Sequence, residues 1–164
     1  YSWHGVDKLV ELSRVFPDLH IDIVGYDQLS EHEPLPPNLT LHGYLGADRY
    51  RKVMAGCDLA ISTLALHRKS MEEACPLKTR ECLAYGLPMV LPYVDTDLKD
   101  LDADFLLKIP NKEDNIQTHG QAIHDFAYRM RGQRVERKLI ALIDQVVKEA
   151  ERIRFFEEII SSRR

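Results

Sequence analysis

Strand-like and helix-like segments take turns along the first 110 residues, joined by short links, and that order restricts the chain to a parallel sheet flanked by helices. Val6–Val15 places Val6, Leu9, Val10 and Leu12 on one helical face, directly after Gly5. Pro17-Asp18 ends that helix, and Leu19–Val24 alternates as a short strand with β-branched Ile21, Ile23 and Val24, stopped by Gly25. The three prolines of Asp27–Asn38 make a loop. Leu39–His42 is a second strand closed by Gly43, Asp48–Ala55 a helix and Asp58–Leu64 a buried strand. Pro76–Tyr85 is a helix with proline in its first turn and Gly86 just past its end. Met89–Tyr93 and Phe105–Ile109 complete the strands. From about Gln117 to Ile160 the sequence is helical with a break near Gly132, and Ile140, Ile143, Val146 and Val147 form an apolar stripe continued by Ile153, Phe156 and Ile160. The expected fold is therefore α/β, a doubly wound parallel sheet with a helical C-terminal tail.

A chain of 164 residues is one domain in size, able to bury roughly two-thirds of its unfolded surface. The net charge of −4 argues against a general nucleic-acid-binding surface. Cys57, Cys75 and Cys82 form no C-x-x-C pair, which speaks against a disulfide framework and a structural zinc site, and they suit a reducing cytoplasmic setting. No apolar run approaches the ~18 residues of a membrane span, and no signal-peptide pattern opens the sequence. Tyr1-Ser2-Trp3 leads straight into a helix without an initiator Met or a preceding strand, as expected of a piece of a longer protein.

In open α/β sheets ligands bind beyond the carboxyl ends of the strands. That rule selects Gly25–Gln28, Gly43–Gly46, Leu64–Pro76 and Pro92–Asp97 as the rim. The densest chemistry lies at Leu64–Pro88, where Glu73 and Glu81 bracket a helix start at Cys75-Pro76-Leu77. A helix start presents free N–H groups and partial positive charge, suited to a phosphate. Glu81, one turn inside, shares a face with Leu77 and Ala84, where a carboxylate can accept both hydroxyls of a ribose. Glu73, just ahead, is placed to accept hydroxyls of a sugar attached to that phosphate. The plainer alternative is that Glu73 complements the helix dipole and Glu81 pairs with Lys78 at i,i+3.

The surroundings of the two glutamates favour the first reading. Glu73-x7-Glu81 followed by Cys-Leu-Ala-Tyr-Gly-Leu-Pro-Met-Val resembles the signature of glycosyltransferase family four. Trp3-His-Gly-Val-Asp-Lys-Leu, Ile23-Val-Gly25 and Asn38-Leu-Thr-Leu-His-Gly43 match in the same order. Leu66-His-Arg-Lys and Leu77-Lys-Thr-Arg-Glu resemble a bacterial subgroup associated with capsular and other surface polysaccharides, including lipopolysaccharide.

The resemblance implies the donor-binding, C-terminal half of a GT-B enzyme with two Rossmann-like domains. Residues 1–116 would be the nucleotide-sugar domain lacking its first strand, and 117–164 helices that pack on it and reach an N-terminal acceptor domain. Glu81 would bind the ribose and Glu73 would position the transferred sugar, with no residue firmly catalytic. Ala74, Cys75, Pro76 and Leu77 would meet diphosphate or sugar, and the loops bearing Gly25 and Tyr44 would border the base. The family's phosphate-binding Lys precedes a Gly; here His4 precedes Gly5, so Arg68, Lys69 and Lys78 become the candidate cations, with His67 a polar contact. The nucleotide-diphosphate sugar is a substrate, and no metal or other cofactor is implied. Expected partners are that sugar nucleotide, the N-terminal domain and a lipid-linked acceptor at the inner membrane face, with no nucleic acid. The alternatives are a GT-B nucleotide-sugar epimerase and a non-catalytic nucleotide-binding or assembly domain.

Overall fold

The computed structural model describes residues 2–29, 31 and 34–162. Of the Asp27–Asn38 loop, Ser30, His32 and Glu33 lie outside the described residues, as do Tyr1, Arg163 and Arg164. The fold is mixed α/β. Helices α1 (Val6–Val15), α2 (Ala47–Gly56), α3 (Leu77–Ala84), α4 (Asn115–Met130) and α5 (Gln145–Ser162) accompany strands β1 (Ile21–Ile23), β2 (Leu39–Leu41), β3 (Ala60–Ile61), β4 (Glu73–Ala74), β5 (Met89–Leu91), β6 (Val94–Asp95) and β7 (Leu106–Lys108). Every strand pair is parallel, and the strands form three small sheets ordered β1-β2, β3-β5-β7 and β4-β6.

Two glycines decide where helices meet strands. Gly5 adopts φ 72° at the start of α1, and a Cβ there would stand 2.7 Å from that of Leu64. Only a residue without a side chain lets α1 begin so close to the end of β3. The His4 carbonyl accepts the Leu64 N–H at 3.2 Å, fixing the same junction. α1 ends at Phe16, φ −123°, because the residue before Pro17 is driven out of the helical region. Gly86, φ 77°, terminates α3, and its carbonyl accepts the Val135 N–H at 2.8 Å.

Burial follows the pattern of a sheet covered on both faces. In β5, Val90 packs with Leu12, Leu64, Ile116, Ile123 and Phe126 on the α1/α4 side. Its neighbours Met89 and Leu91 pack with Leu83, Tyr93, Leu98 and Ile140 on the α3 side. A smaller core joins Val10 of α1 to Ile23 and Leu39.

Three features differ from the sequence reading. The strand expected over Asp58–Leu64 is reduced to Ala60–Ile61, since its edge toward β1 has no neighbouring strand. Glu73–Ala74 and Val94–Asp95 pair as β4 and β6, in segments read as rim loops after the strands. The apolar stripe from Ile140 onward is interrupted at Asp144, whose extended backbone separates the 3-10 turns of Arg137–Ile143 from α5. Ile140 is buried, whereas α5 buries none of its described residues and exposes Val146, Ile153, Phe155, Phe156 and Ile160. No helix among the described residues is long and apolar enough to cross a membrane.

Candidate functional site

α3 begins beside the carboxyl ends of β3 and β5, fixed there by a buried hydroxyl cluster. The Tyr93 hydroxyl lies 2.7 Å from Ser62 Oγ and 3.0 Å from Thr79 Oγ1, so strand end, following loop and first helical turn share hydrogen bonds. Buried hydroxyls that satisfy one another hold such a junction rigidly.

Just ahead of α3, β4 pairs Glu73 with Val94, setting the direction in which the chain enters the helix. β6 is anchored in turn by Arg80, whose guanidinium pairs with Asp95 and lies 2.6 Å from Asp97. Asp97 also receives Lys148 of α5 at 2.9 Å and the Cys75 thiol at 3.4 Å. Although partial burial opposes it, hydrogen bonds from Arg80, Lys148 and Cys75 bring the Asp97 pKa down to about 2. Asp95 and Asp97 are thus occupied by cations of the chain itself. Among the described residues no group of three or more His, Cys, Asp or Glu side chains is arranged to hold a metal.

The start of α3 is open. Pro76 stands at the N-cap, φ −75°, with no side-chain cap, and Leu77 is 86% exposed. The first N–H groups of a helix have no intrahelical acceptor, so an anion can take them. Glu73 and Cys75 are exposed, Ala74 and Pro76 half-buried. Among the described residues the Glu73 side chain makes no hydrogen bond or ion pair, whereas its sequence neighbour Glu72 accepts a hydrogen bond from Asn111. Glu81 lies about 6 Å along the axis from Leu77. It is exposed and accepts one hydrogen bond, from the Tyr50 hydroxyl at 3.2 Å. The i,i+3 pair with Lys78 is not formed; Lys78 Nζ donates instead to Thr63 Oγ1. Desolvation where the ammonium meets Thr63 lowers its pKa, while the residue as a whole stays exposed.

His4 lies close enough to Lys78 and Lys69 to feel their charges. Its Nδ1 lies 3.0 Å from the Tyr26 hydroxyl, and burial together with nearby Lys78 and Lys69 holds its pKa below 6.5. The loops after β1 and β2 are interlocked: the Gly25 N–H donates to the Gly43 carbonyl at 2.7 Å, and the Gly43 N–H to the Tyr26 carbonyl at 2.8 Å. Tyr44, next in sequence, is 93% exposed. An exposed aromatic ring on a rigid turn is a platform for a planar ring system.

His67 and Arg68 stand differently. Arg68 engages both oxygens of Asp7 at 2.9 and 2.7 Å, bonds Glu113 from Nε at 3.0 Å, and donates to the Ser2 carbonyl at 2.9 Å. His67 Nε2 lies 2.7 Å from Glu113, and its backbone N–H donates to Asn111 Oδ1 at 3.0 Å. Bonds from Arg68 and His67 lower the Glu113 pKa to about 2. Both side chains are therefore held by internal partners that tie Leu66–Lys69 to α1 and to the loop before α4. Lys69 lies 4.4 Å over the ring of Trp3.

Sequence reasoning missed Lys8. It is 2% exposed, and its ammonium donates to the Glu113 carbonyl and lies 3.6 Å from that residue's carboxylate. A lysine on the apolar face of α1 was the visible signal. Comparison with protein-family models and with curated proteins finds no match.

Proposed function

We propose that the rim around the start of α3 binds a nucleotide-diphosphate sugar, the chain acting as the donor-binding domain of a retaining glycosyltransferase of surface-polysaccharide assembly. In this reading the three parallel sheets are parts of one doubly wound, Rossmann-like sheet. The observation that carries it is the uncapped α3 N-terminus, with an exposed glutamate on each side and Lys78 in the helix's first turn. The helix start takes the diphosphate, Lys78 neutralises it, Glu81 receives the ribose hydroxyls and Glu73 those of the sugar. Tyr44 and the Gly25 turn border the base. His4, held neutral by its surroundings, becomes protonated when the diphosphate arrives, adding a cation where the family carries lysine.

Arg68 and His67 support the site from behind. Their polar groups already have partners, so their part is to position the Leu66–Lys69 turn. Acceptor binding belongs to a second domain, and transfer by the 164-residue chain alone is not expected. Calorimetric titration with uridine and guanosine diphosphates tests the reading. One nucleotide binds with a dissociation constant in the range of tens of micromolar to millimolar, and Glu81→Ala weakens it about tenfold, the loss of one pair of hydrogen bonds to a charged acceptor. Equal binding by the variant overturns the ribose role.

A further inference from the structure

α5 buries none of its described residues, and a single helix of about 18 residues is marginal in water without a surface to lie on. Lys148 ties its first turns to the domain through Asp97, at 2.9 Å. Val146 stands two positions earlier and points nearly the opposite way, because successive residues turn about 100° around the axis. Ile153 and Ile160 follow Val146 at intervals of seven, with Phe156 between them. These four side chains make one stripe, and each is more than half exposed. The domain therefore lies behind α5, and the stripe faces away from it.

An interval of seven is the repeat of a left-handed coiled coil. In heptad terms Val146, Ile153 and Ile160 take the a positions, Glu149 and Phe156 the d positions, and Lys148 an outward c position. β-branched residues at every a favour two strands. The flanks carry opposite charges, Arg152 at g and Glu157 at e. Among the described residues Glu157 has no ion pair, and Arg152 meets only its helical neighbour Glu149, at 3.2 Å. In a parallel pair, g of one helix reaches the e position five residues on in the other, so Arg152 of each copy meets Glu157 of the other. Reversing one helix sets e against e and g against g, and that contact is lost.

We propose that α5 pairs with α5 of a second copy of this chain as a short parallel two-stranded coiled coil. Val146, Ile153, Phe156 and Ile160 form its seam, and two Arg152–Glu157 pairs flank it. Glu149 at the first d position confines most of the apolar contact to Ile153 onward, so a dissociation constant of roughly 10–100 µM is expected. With Lys148 on the outer side, the two domains stand at the same end of the coil without entering the seam. This pairing needs nothing from the donor site.

Sedimentation equilibrium of the 164-residue chain between about 5 and 300 µM is the test. The mass is expected to rise from 18.9 kDa toward twice that value and no further. Ile153→Asp, at an exposed position, should keep the circular dichroism of the dilute parent and stay monomeric throughout. Arg152→Glu and Glu157→Arg should each weaken the dimer about tenfold at low salt, and combining them should restore it to within about threefold of the parent. A parent that stays monomeric at the highest concentration overturns the proposal, and the stripe then belongs to another domain. A dimer that survives Ile153→Asp overturns it as well, since the contact would lie elsewhere. So does a dimer indifferent to both charge reversals, because its helices would not be parallel in this register.

Discussion

The segment Leu64–Pro88 carries charged residues in two stretches that behave differently. Leu66–Lys69 is internally saturated: Arg68 meets Asp7, Glu113 and Ser2, and His67 meets Glu113 and Asn111. Glu73–Glu81 leaves capacity open at Glu73, at the α3 N-terminus and at Glu81, although Arg80 within the same stretch is fully committed to Asp95 and Asp97. Charge at a rim therefore does not by itself mark a ligand site. What distinguishes the two is whether the chain already supplies the partners. Side chains in a closed network stabilise and orient; those with unused donors or acceptors on a rigid support are available to a ligand.

Substitutions can break this contrast. The largest effect is expected from Arg80→Ala, which leaves Asp95, with a side chain only 1% exposed, as an unpaired buried carboxylate. Losing one member of a buried pair costs about 3 kcal/mol, or roughly 10 °C in Tm for a domain of this size. A calorimetric melt within 2 °C of the parent would show that Asp95 does not depend on that guanidinium.

Arg68→Ala comes next. The side chain is partly exposed, so a loss of about 2 kcal/mol is expected, read as a shifted urea midpoint. Nucleotide affinity of the folded fraction should stay within about threefold; a tenfold loss there would move Arg68 from the supporting network to the ligand.

Acid sharpens the same comparison. Glu113, ordinarily near 4.5, and Asp97, ordinarily near 3.8, are both held at about 2 in the folded chain. Folded values below the unfolded ones mean that their stabilisation is complete above about pH 4.5 and drains as pH falls toward 2. Urea midpoints at pH 5, 3.5 and 2.5 should fall less steeply in Glu113→Gln than in the parent. Parallel slopes would remove Glu113 from the network's electrostatics.

Local signals made much of this fold legible. α1 occupies Val6–Val15 as its apolar periodicity and Pro17 require, and α3 stops at Gly86 because that residue takes a positive φ. The rule for parallel sheets selects Leu64–Pro76 as part of a candidate rim, and in the structure Glu73 and Cys75 are exposed just ahead of α3, with Glu81 exposed one turn inside it. What stayed hidden depended on distant pairing. β4 is two residues long and exists through partners twenty-one positions away, leaving no periodic trace. The roles of His67 and Arg68 were set by Glu113, more than forty positions on, and spacing within the motif carries no record of it. Lys78 turned from its helical neighbour Glu81 to Thr63 because the crevice offered a buried hydroxyl.

In the proposed function, the start of α3 is the anion-binding point of the site. A uridine diphosphate titration followed by amide and imidazole NMR tests it most directly. Saturable shifts are expected at the amides of Cys75, Leu77 and Lys78, and the His4 imidazole, whose pKa burial and nearby lysines lower in the free chain, should titrate higher in the complex. Saturable binding that leaves those three amides and His4 unmoved would contradict it.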